Sequence, residues 1–293
     1  MKTGYFPGCS LTGTSKEFDK SLREVAKALG GEINEINDWN CCGASSAHIS
    51  SHLLSVALPA RNLILAKEQG FDSVFAPCAA CYNRLLSSKH ELNSNNKMKE
   101  KVESILETKY QNGLDIINII QYFQQIGKEK ISEMKKVDLG GINVACYYGC
   151  LLLRPTSLID FDDSEEPTSM EELVKVTGAN PVDWNFKTEC CGAAHSIAHT
   201  DIVEKLSKKI IDDAISHKAD AIVVACPMCH SNLDMRQKSI EKTIKNHTEI
   251  PILYLSELIG LSLGIEYKKL GLNLHFINPV PTIEKLMKKE VAA

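Results

Sequence analysis

The tripeptide Cys-Cys-Gly occurs twice in this chain, as Cys41-Cys42-Gly43 and as Cys190-Cys191-Gly192. The surrounding sequence repeats too: NCCGASSAH returns as ECCGAAHSI, and VFAPCAAC returns as VVACPMC. Equivalent cysteines at positions 9 and 150, 41 and 190, and 78 and 226 are offset by 141, 149 and 148 residues. A nearly constant offset indicates an internal duplication, so we expect two similar halves.

Each Cys-Cys-Gly lies within a set of five cysteines. The first set is Cys9, Cys41, Cys42, Cys78 and Cys81, and the second is Cys150, Cys190, Cys191, Cys226 and Cys229. Thiolates in such numbers bind soft metals, above all the iron of iron–sulfur clusters. Zinc is the alternative, because each set ends in a CxxC pair. Disulfides are disfavoured, because the chain is not a small secreted domain.

The composition narrows the class of protein. The chain has 293 residues, 44% of them hydrophobic, which indicates about two domains with sizeable cores. Net charge is −4 and the basic residues are dispersed, so we expect no nucleic-acid surface. No apolar run is long enough to span a membrane, and no apolar leader precedes Cys9. We therefore expect a cytoplasmic location and reduced, metal-bound thiols.

The hydrophobic pattern predicts alternating strands and helices in both halves. In the first half we expect strands at 2–6, 32–36 and 73–76, with helices between them. Thr14 and Glu17 match a capping box at the start of the first long helix. The first CxxC should lie at the carboxyl end of a strand and at a helix N-terminus, where ligands gather and thiolates are favoured.

The second half repeats this order. We expect strands at 142–146 and 220–225, and helices at 169–176 and 201–217. The Lys/Glu-rich segment 127–138 is the predicted boundary, which gives domains 1–138 and 139–293. The fold class is therefore α/β, with two pseudo-symmetric α/β half-domains related by internal duplication.

The chain resembles the B subunit of heterodisulfide reductase, which is built from two CCG cysteine-rich domains. The resemblance spans the chain and rests on both cysteine sets and on YYGCLLLRP (147–155), the long match from 161 to 192, and LYLSELIGLSLG (253–264). It implies two noncubane 4Fe–4S clusters that face each other across a cleft, with the ten cysteines as ligands. The implied reaction is two-electron reductive cleavage of a disulfide, or its reverse.

The resemblance also implies partners. In such complexes electrons come from an iron–sulfur C subunit with cubane clusters and a flavin-bearing A subunit. This chain has neither a ferredoxin cysteine run nor a GxGxxG fingerprint, so we expect it to depend on partners similar to those two proteins. The methanogen proteins carry a histidine after the first cysteine of the second set, whereas this chain has Leu151. The preferred disulfide is therefore expected to differ.

Several other side chains are candidates for proton transfer or substrate binding. His48 and His52 follow the first Cys-Cys-Gly, and His195 and His199 follow the second; each pair would share one face of a continuous helix. Their alternative role is that of ordinary polar residues near a helix start. His230, directly after Cys229, is a candidate of the same kind. Arg154 would bind an anionic substrate group or, equally, pair with the acidic segment 162–166.

The eleventh cysteine, Cys146, has no counterpart in the first half. It is expected to be a buried strand thiol, which leaves Cys150 as the ligand.

Two other functions remain open. A protein that only relays electrons in a lactate, glycolate or quinone-linked complex is the alternative to a catalytic one. A zinc-stabilised assembly module is the third interpretation.

Overall fold

Each half of the chain is a parallel sheet flanked by helices. The structure is a computed structural model that describes residues 2–44, 47–243 and 249–291. Within these residues the first sheet has the strand order β2-β1-β3-β4, and the second has β6-β5-β7-β8. The two orders correspond strand for strand, and all the pairings are parallel. The predicted duplicated α/β fold is confirmed.

The four strands of each half and the main helices that connect them follow one another in the same order. The first half contains β1 (Thr3–Tyr5), α1 (Gly8–Thr12), α2 (Lys16–Ala28), β2 (Asn34–Glu35), α3 (Ala47–Ser50), α4 (His52–Glu68), β3 (Ser73–Phe75), α5 (Ala79–Ser94), α6 (Asn96–Leu106), β4 (Asp115–Ile117), α7 (Ile119–Ile126) and α8 (Lys128–Met134). The second contains β5 (Asn143–Tyr147), α9 (Ser169–Val176), β6 (Asn180–Pro181), a 3-10 turn (Ala193–His195), α10 (Thr200–Ser216), β7 (Ala221–Val224), α11 (Pro227–Met235), α12 (Gln237–Thr243), β8 (Ile252–Tyr254), α13 (Leu255–Ser262), α14 (Tyr267–Leu270), a second 3-10 turn (Leu272–Leu274) and α15 (Val280–Val291).

The parallel register brings the cysteine segments to one edge of each sheet. In the first sheet Tyr5, Phe75 and Ile117 are neighbours at the carboxyl ends of β1, β3 and β4. The first cysteine follows β1, the Cys-Cys-Gly follows β2, and the CxxC follows β3. Since the carboxyl ends of parallel strands meet, three segments distant in sequence converge there. The second sheet repeats the arrangement.

The two halves pack reciprocally. Helix α2 of the first half packs on α13 of the second, and α7 of the first packs on α9 of the second. Phe18 stacks on Tyr254 with ring centroids 4.0 Å apart, and Ser21 Oγ lies 2.8 Å from Ser256 Oγ. Because α2 corresponds to α9 and α7 to α13, these contacts are those of a pseudo-two-fold interface. The boundary between 138 and 139 remains a prediction.

One local prediction was wrong, and the continuous helix that would align His48 with His52 does not form. Helix α2 begins at Lys16 with Ser15 as its N-cap, and no side-chain bond caps it, so Thr14 and Glu17 form no capping box. Glu17 is instead buried and accepts a hydrogen bond from the Tyr254 hydroxyl at 3.3 Å. His48 and His52 lie on separate helices, because the extended backbone of Ser51 starts α4.

A glycine lets the backbone approach a sulfur in each half. Gly8 has φ +65°, and a Cβ there would lie 2.9 Å from the sulfur of Cys81. Gly149 has φ +68°, and its Cβ would lie 3.1 Å from the sulfur of Cys229. Both positions therefore require glycine for conformation and for space.

The first prediction separates those two requirements by comparing Gly8→Ala with Gly70→Ala. Gly70 has φ +75° with no atom within 4 Å of a built Cβ, so its replacement carries only the strain of a left-handed residue, about 1–2 kcal/mol. Gly8→Ala carries that strain and also displaces the Cys81 sulfur. We expect Gly70→Ala to keep its full iron and Gly8→Ala to lose the iron of the first set. Iron per chain and thermal unfolding are the measurements, and equal iron in the two variants would contradict this.

Candidate metal centre

The five sulfurs of the first set form an exposed outer pair and a buried inner group. The outer pair is Cys9 and Cys41, both exposed, with sulfurs 3.7 Å apart. The inner group is Cys42, Cys78 and Cys81, each no more than 3% exposed. The sulfurs of Cys42 and Cys81 lie 3.2 Å apart. The set thus runs from the core to the surface.

The second set has the same arrangement. The sulfurs of Cys150 and Cys190 lie 3.8 Å apart, with Cys190 exposed and Cys150 half-buried. Cys191, Cys226 and Cys229 are buried, and the sulfurs of Cys191 and Cys229 lie 3.5 Å apart. The sequence-based prediction named these residues, and the structure brings together the members of each set.

The two sets also meet each other. The Cys78 and Cys226 side chains, from different halves, lie close enough to interact, and their contact raises the pKa of Cys78 and lowers that of Cys226. Each of these cysteines is the N-cap residue of the helix that follows its strand, α5 or α11. The contact therefore joins the two equivalent CxxC segments across the pseudo-two-fold interface.

The thiols share negative charge. Hydrogen bonds from Cys41 and then Cys81 lower the pKa of Cys42 to about 3. The hydrogen bond from Cys150 lowers the pKa of Cys190 to about 6. Bonds from Cys229 and then Cys78 lower the pKa of Cys226 well below its usual value. Thiols gathered around thiolates are the donor set that a soft metal requires, so the residues fit iron–sulfur clusters.

Backbone and side-chain amides donate hydrogen bonds to the cysteine sulfurs and so stabilise their thiolate charge. Gly43 N donates to the sulfur of Cys41 at 3.5 Å, and Gly192 N donates to the sulfur of Cys190 at 3.4 Å. The side-chain amide of Asn232 donates to the sulfur of Cys191 at 3.5 Å. Hydrogen bonds to cluster thiolates are one means by which proteins adjust reduction potential.

Cys146 lies apart from this arrangement. It is fully buried in β5, and burial raises the pKa of its thiol. Its backbone oxygen accepts a hydrogen bond from Trp184 Nε1 at 3.0 Å. These surroundings are those of a structural strand thiol, which favours Cys150 as the ligand.

The proposed proton donors lie at the exposed edge of the sets. His195 belongs to the 3-10 turn after the second Cys-Cys-Gly and lies near enough to Cys190 to favour its thiolate. Its ring meets that of His199 edge-on with centroids 5.7 Å apart. His48 is exposed on α3, which follows the first Cys-Cys-Gly, and His52 Nε2 lies 3.6 Å from Glu91. Their catalytic roles remain predictions.

Arg154 contacts the acidic loop. One of its guanidinium nitrogens lies 2.9 Å from Glu165 Oε1 and 3.1 Å from the carbonyl oxygen of Ser164. Its own backbone oxygen accepts a hydrogen bond from the amide of Asn83, in the first half, at 2.7 Å. These contacts favour the second of its two predicted roles, pairing with the loop.

A buried polar group lies behind the second set, and of its members the sequence had singled out only His230. His230 follows Cys229 directly, and its Nε2 bonds the carbonyl oxygen of Ile252 at 3.1 Å. Glu257 and His275 lie beside it, and the latter pair is 2.8 Å apart. Glu257 and His275 were missed, because Glu257 at the N3 position of α13 by itself indicates only a helix start.

Comparisons with known proteins identify the domains. The model of the CCG cysteine-rich domain matches residues 3–86 and 144–234. A structure described as a hypothetical protein from Helicobacter pylori has a TM-score of 0.75 at 15% identity, covering 94% of this chain and 51% of its own, and shows the fold alone. Among the described residues no helix is both long and apolar enough to cross a membrane.

Full-length relatives identify the family. The Wolinella succinogenes protein named 8-methylmenaquinol:fumarate reductase membrane anchor subunit is 35% identical over 94% of this chain and 96% of its own length. The Methanosarcina mazei protein named as the B subunit of ferredoxin:CoB-CoM heterodisulfide reductase is 30% identical over 98% and 96%. A heterodisulfide reductase B subunit of Methanosarcina acetivorans is 28% identical over 97% of both chains. This chain therefore belongs to the heterodisulfide reductase B-subunit family of proteins with two CCG cysteine-rich domains.

Proposed function

We propose that this chain is a catalytic iron–sulfur subunit whose two cysteine sets each hold one noncubane 4Fe–4S cluster and act together on one two-electron substrate. The observation that carries the proposal is the contact between Cys78 and Cys226, which joins the two sets across the interface. Two complete sets favour a catalytic role, because a protein that only relays electrons could tolerate a degraded half. When bound, each cluster supplies or accepts one electron, which allows two-electron chemistry without a free radical product.

The first candidate reaction is reductive cleavage of a disulfide, or its reverse. Cleavage consumes two electrons and two protons and yields two thiols. The exposed outer cysteines, Cys9 and Cys41 in one half and Cys190 in the other, leave each set open to solvent where a substrate would enter. His48 and His195 follow the two Cys-Cys-Gly segments and supply the two protons in this proposal.

The second candidate substrate is a quinol, which releases two electrons and two protons on oxidation. It is favoured by the Wolinella relative, whose name refers to 8-methylmenaquinol:fumarate reductase. Leu151, beside Cys150, is 40% exposed and makes this side of the entrance less polar than a histidine would. In this role the chain passes electrons from quinol to a partner, the quinone-linked alternative to disulfide chemistry.

The proposal includes partners and a location. Electrons would enter or leave through an iron–sulfur protein similar to the C subunit and a flavoprotein similar to the A subunit. All ten set cysteines are committed to the two clusters, and the sequence has no flavin fingerprint, so further carriers must come from other chains. The complex would face the cytoplasm, where thiols stay reduced.

The second prediction tests the ligand sets with Cys42→Ala and Cys191→Ala. Each variant removes a buried inner thiolate from one set, so we expect each to lose about half of the roughly eight irons per chain. The remaining cluster should keep its electron paramagnetic resonance signal, measured on protein prepared without oxygen. Cys146→Ala is the control and should keep both clusters. Stoichiometric zinc with almost no iron in the wild-type protein would overturn the metal assignment.

The third prediction separates the two substrates. The protein is reduced, freed of excess reductant, and mixed without oxygen with a panel of small and protein disulfides or with water-soluble menaquinone analogues. Oxidation of both clusters by one disulfide class, lost in Cys191→Ala, is the result expected for the disulfide reaction. Oxidation by the quinone alone would select the quinol role. Undiminished turnover in Cys191→Ala with either oxidant would contradict joint action of the two clusters.

A further inference from the structure

A buried charged group lies behind the second CxxC. It consists of Glu17, His230, Asp234, Glu257 and His275, and we call it the His275 cluster. His275 Nε2 donates to Glu257 Oε1 at 2.8 Å, and both side chains are fully buried. The ring of His275 meets the ring of His230 edge-on, with centroids 4.7 Å apart. His230 follows Cys229 directly in the sequence, so the ring of His275 contacts the residue next to a cysteine of the second set.

The rest of the His275 cluster faces the same pair. Asp234 on α11 accepts hydrogen bonds from the backbone of Phe276 and Ile277 at 2.7 and 3.0 Å. Glu17 on α2 approaches through the Tyr254 hydroxyl, and the Tyr254 ring stacks on His230 at 4.2 Å. Burial raises the pKa of both Glu17 and Asp234. Charged groups thus reach His275 from α2, α11 and α13.

The first half has neutral side chains at the corresponding positions. Tyr82 follows Cys81 where His230 follows Cys229. Gln121 occupies the N3 position of α7 where Glu257 occupies that of α13, and both accept from the backbone N–H of the N-cap residue. The ligand sets are therefore duplicated, while the residues that support them differ in charge.

His275 is the group whose charge changes in this cluster. Burial opposes its charged form, but the Glu257 carboxylate and its hydrogen bond outweigh burial and raise the pKa of His275 to about 9. His275 Nδ1 is buried and has no hydrogen-bond partner among the described residues. Since Nε2 donates to Glu257, Nδ1 is the atom that exchanges the proton. The flanking Leu274 and Phe276 are 51% and 56% exposed, so solvent lies one residue away.

We propose that His275 is a positioning residue that makes the midpoint potential of the second cluster depend on pH, while that of the first does not. The inference rests on the proposed function, since it requires a cluster in each set. A protonated His275 favours an additional electron on the nearby second set, and by linkage that electron favours the proton. Below about pH 9, where His275 is already protonated, reduction of the second cluster adds one electron only. Above it, reduction adds one electron from the titrant and one proton from solvent, at Nδ1.

The fourth prediction is tested by redox titration followed by electron paramagnetic resonance on the cluster-loaded protein, between about pH 6 and pH 10. Cys42→Ala and Cys191→Ala assign the two signals. We expect the second midpoint to be constant at low pH and to fall as pH rises through about 9, with the first constant throughout. Each tenfold change in proton affinity on reduction corresponds to about 59 mV for one electron.

Two substitutions locate the effect. His275→Gln should abolish the pH dependence of the second midpoint. His217→Gln is the matched control, because His217 also pairs with a carboxylate, Asp213, at 3.5 Å. His217 lies at the carboxyl end of α10, just before β7, whereas Cys226 follows the other end of β7. Equal pH dependence of both clusters, or its persistence in His275→Gln, would overturn the inference.

A second measurement does not require clusters. Because folding raises the pKa of His275 above its usual value, the stabilisation by the pair is complete below about pH 6.5 and is lost as pH rises through about 9. The melting temperature of His275→Gln should therefore be lowered most at pH 6 and least near pH 10. An absent pH-dependent difference would refute the protonation of His275. Absence of iron from either set would instead refute the proposed function.

Discussion

The structure depends on the crowding of ten cysteine sulfurs at the carboxyl ends of two parallel sheets. Pairs of sulfurs within each set lie 3.2 to 3.8 Å apart, and one contact joins the two sets. Thiols at this spacing share protons, which leaves thiolate charge in a largely buried site. Burying such charge is unfavourable unless a cation balances it, so the arrangement favours metal binding. The fold supplies the crowding through its parallel register, and the glycines before each first cysteine supply the space.

The second constraint is the interface between the halves. Neither sheet alone could bring Cys78 to Cys226, since these residues follow strands of different sheets. The reciprocal packing of α2 on α13 and of α7 on α9 makes that approach possible. The stacking of Phe18 on Tyr254 fixes the interface immediately beside the second CxxC. A change in the packing between the halves would thus alter the surroundings of the second CxxC through one layer of aromatic side chains.

The sequence predicted the duplication, the alternation of strands and helices, and the grouping of the cysteines into two sets, because these are encoded in local patterns and in a repeat. It failed where tertiary contacts decide the outcome. Glu17 fits a capping box in the sequence, yet its carboxylate accepts a hydrogen bond from Tyr254, a residue of the other half. His48 and His52 fit one helix face, but Ser51 divides them between two helices. The His275 cluster was missed as a group, although His230 had been singled out, because its members are scattered from position 17 to position 275 and meet only in the folded protein.

Duplication makes equal sites, whereas two-electron chemistry at one substrate gains from unequal ones. The five thiols of each half have the same order and pairing, although Cys9 is exposed and its counterpart Cys150 is half-buried, and this similarity favours the same metal chemistry in both halves. The difference lies in the supporting residues, where Tyr82 and Gln121 in one half correspond to His230 and Glu257 in the other. Changing these residues alters the local charge without disturbing a ligand. In this way a duplicated fold can give two equivalent centres different reduction potentials, so that two electrons are transferred one after the other.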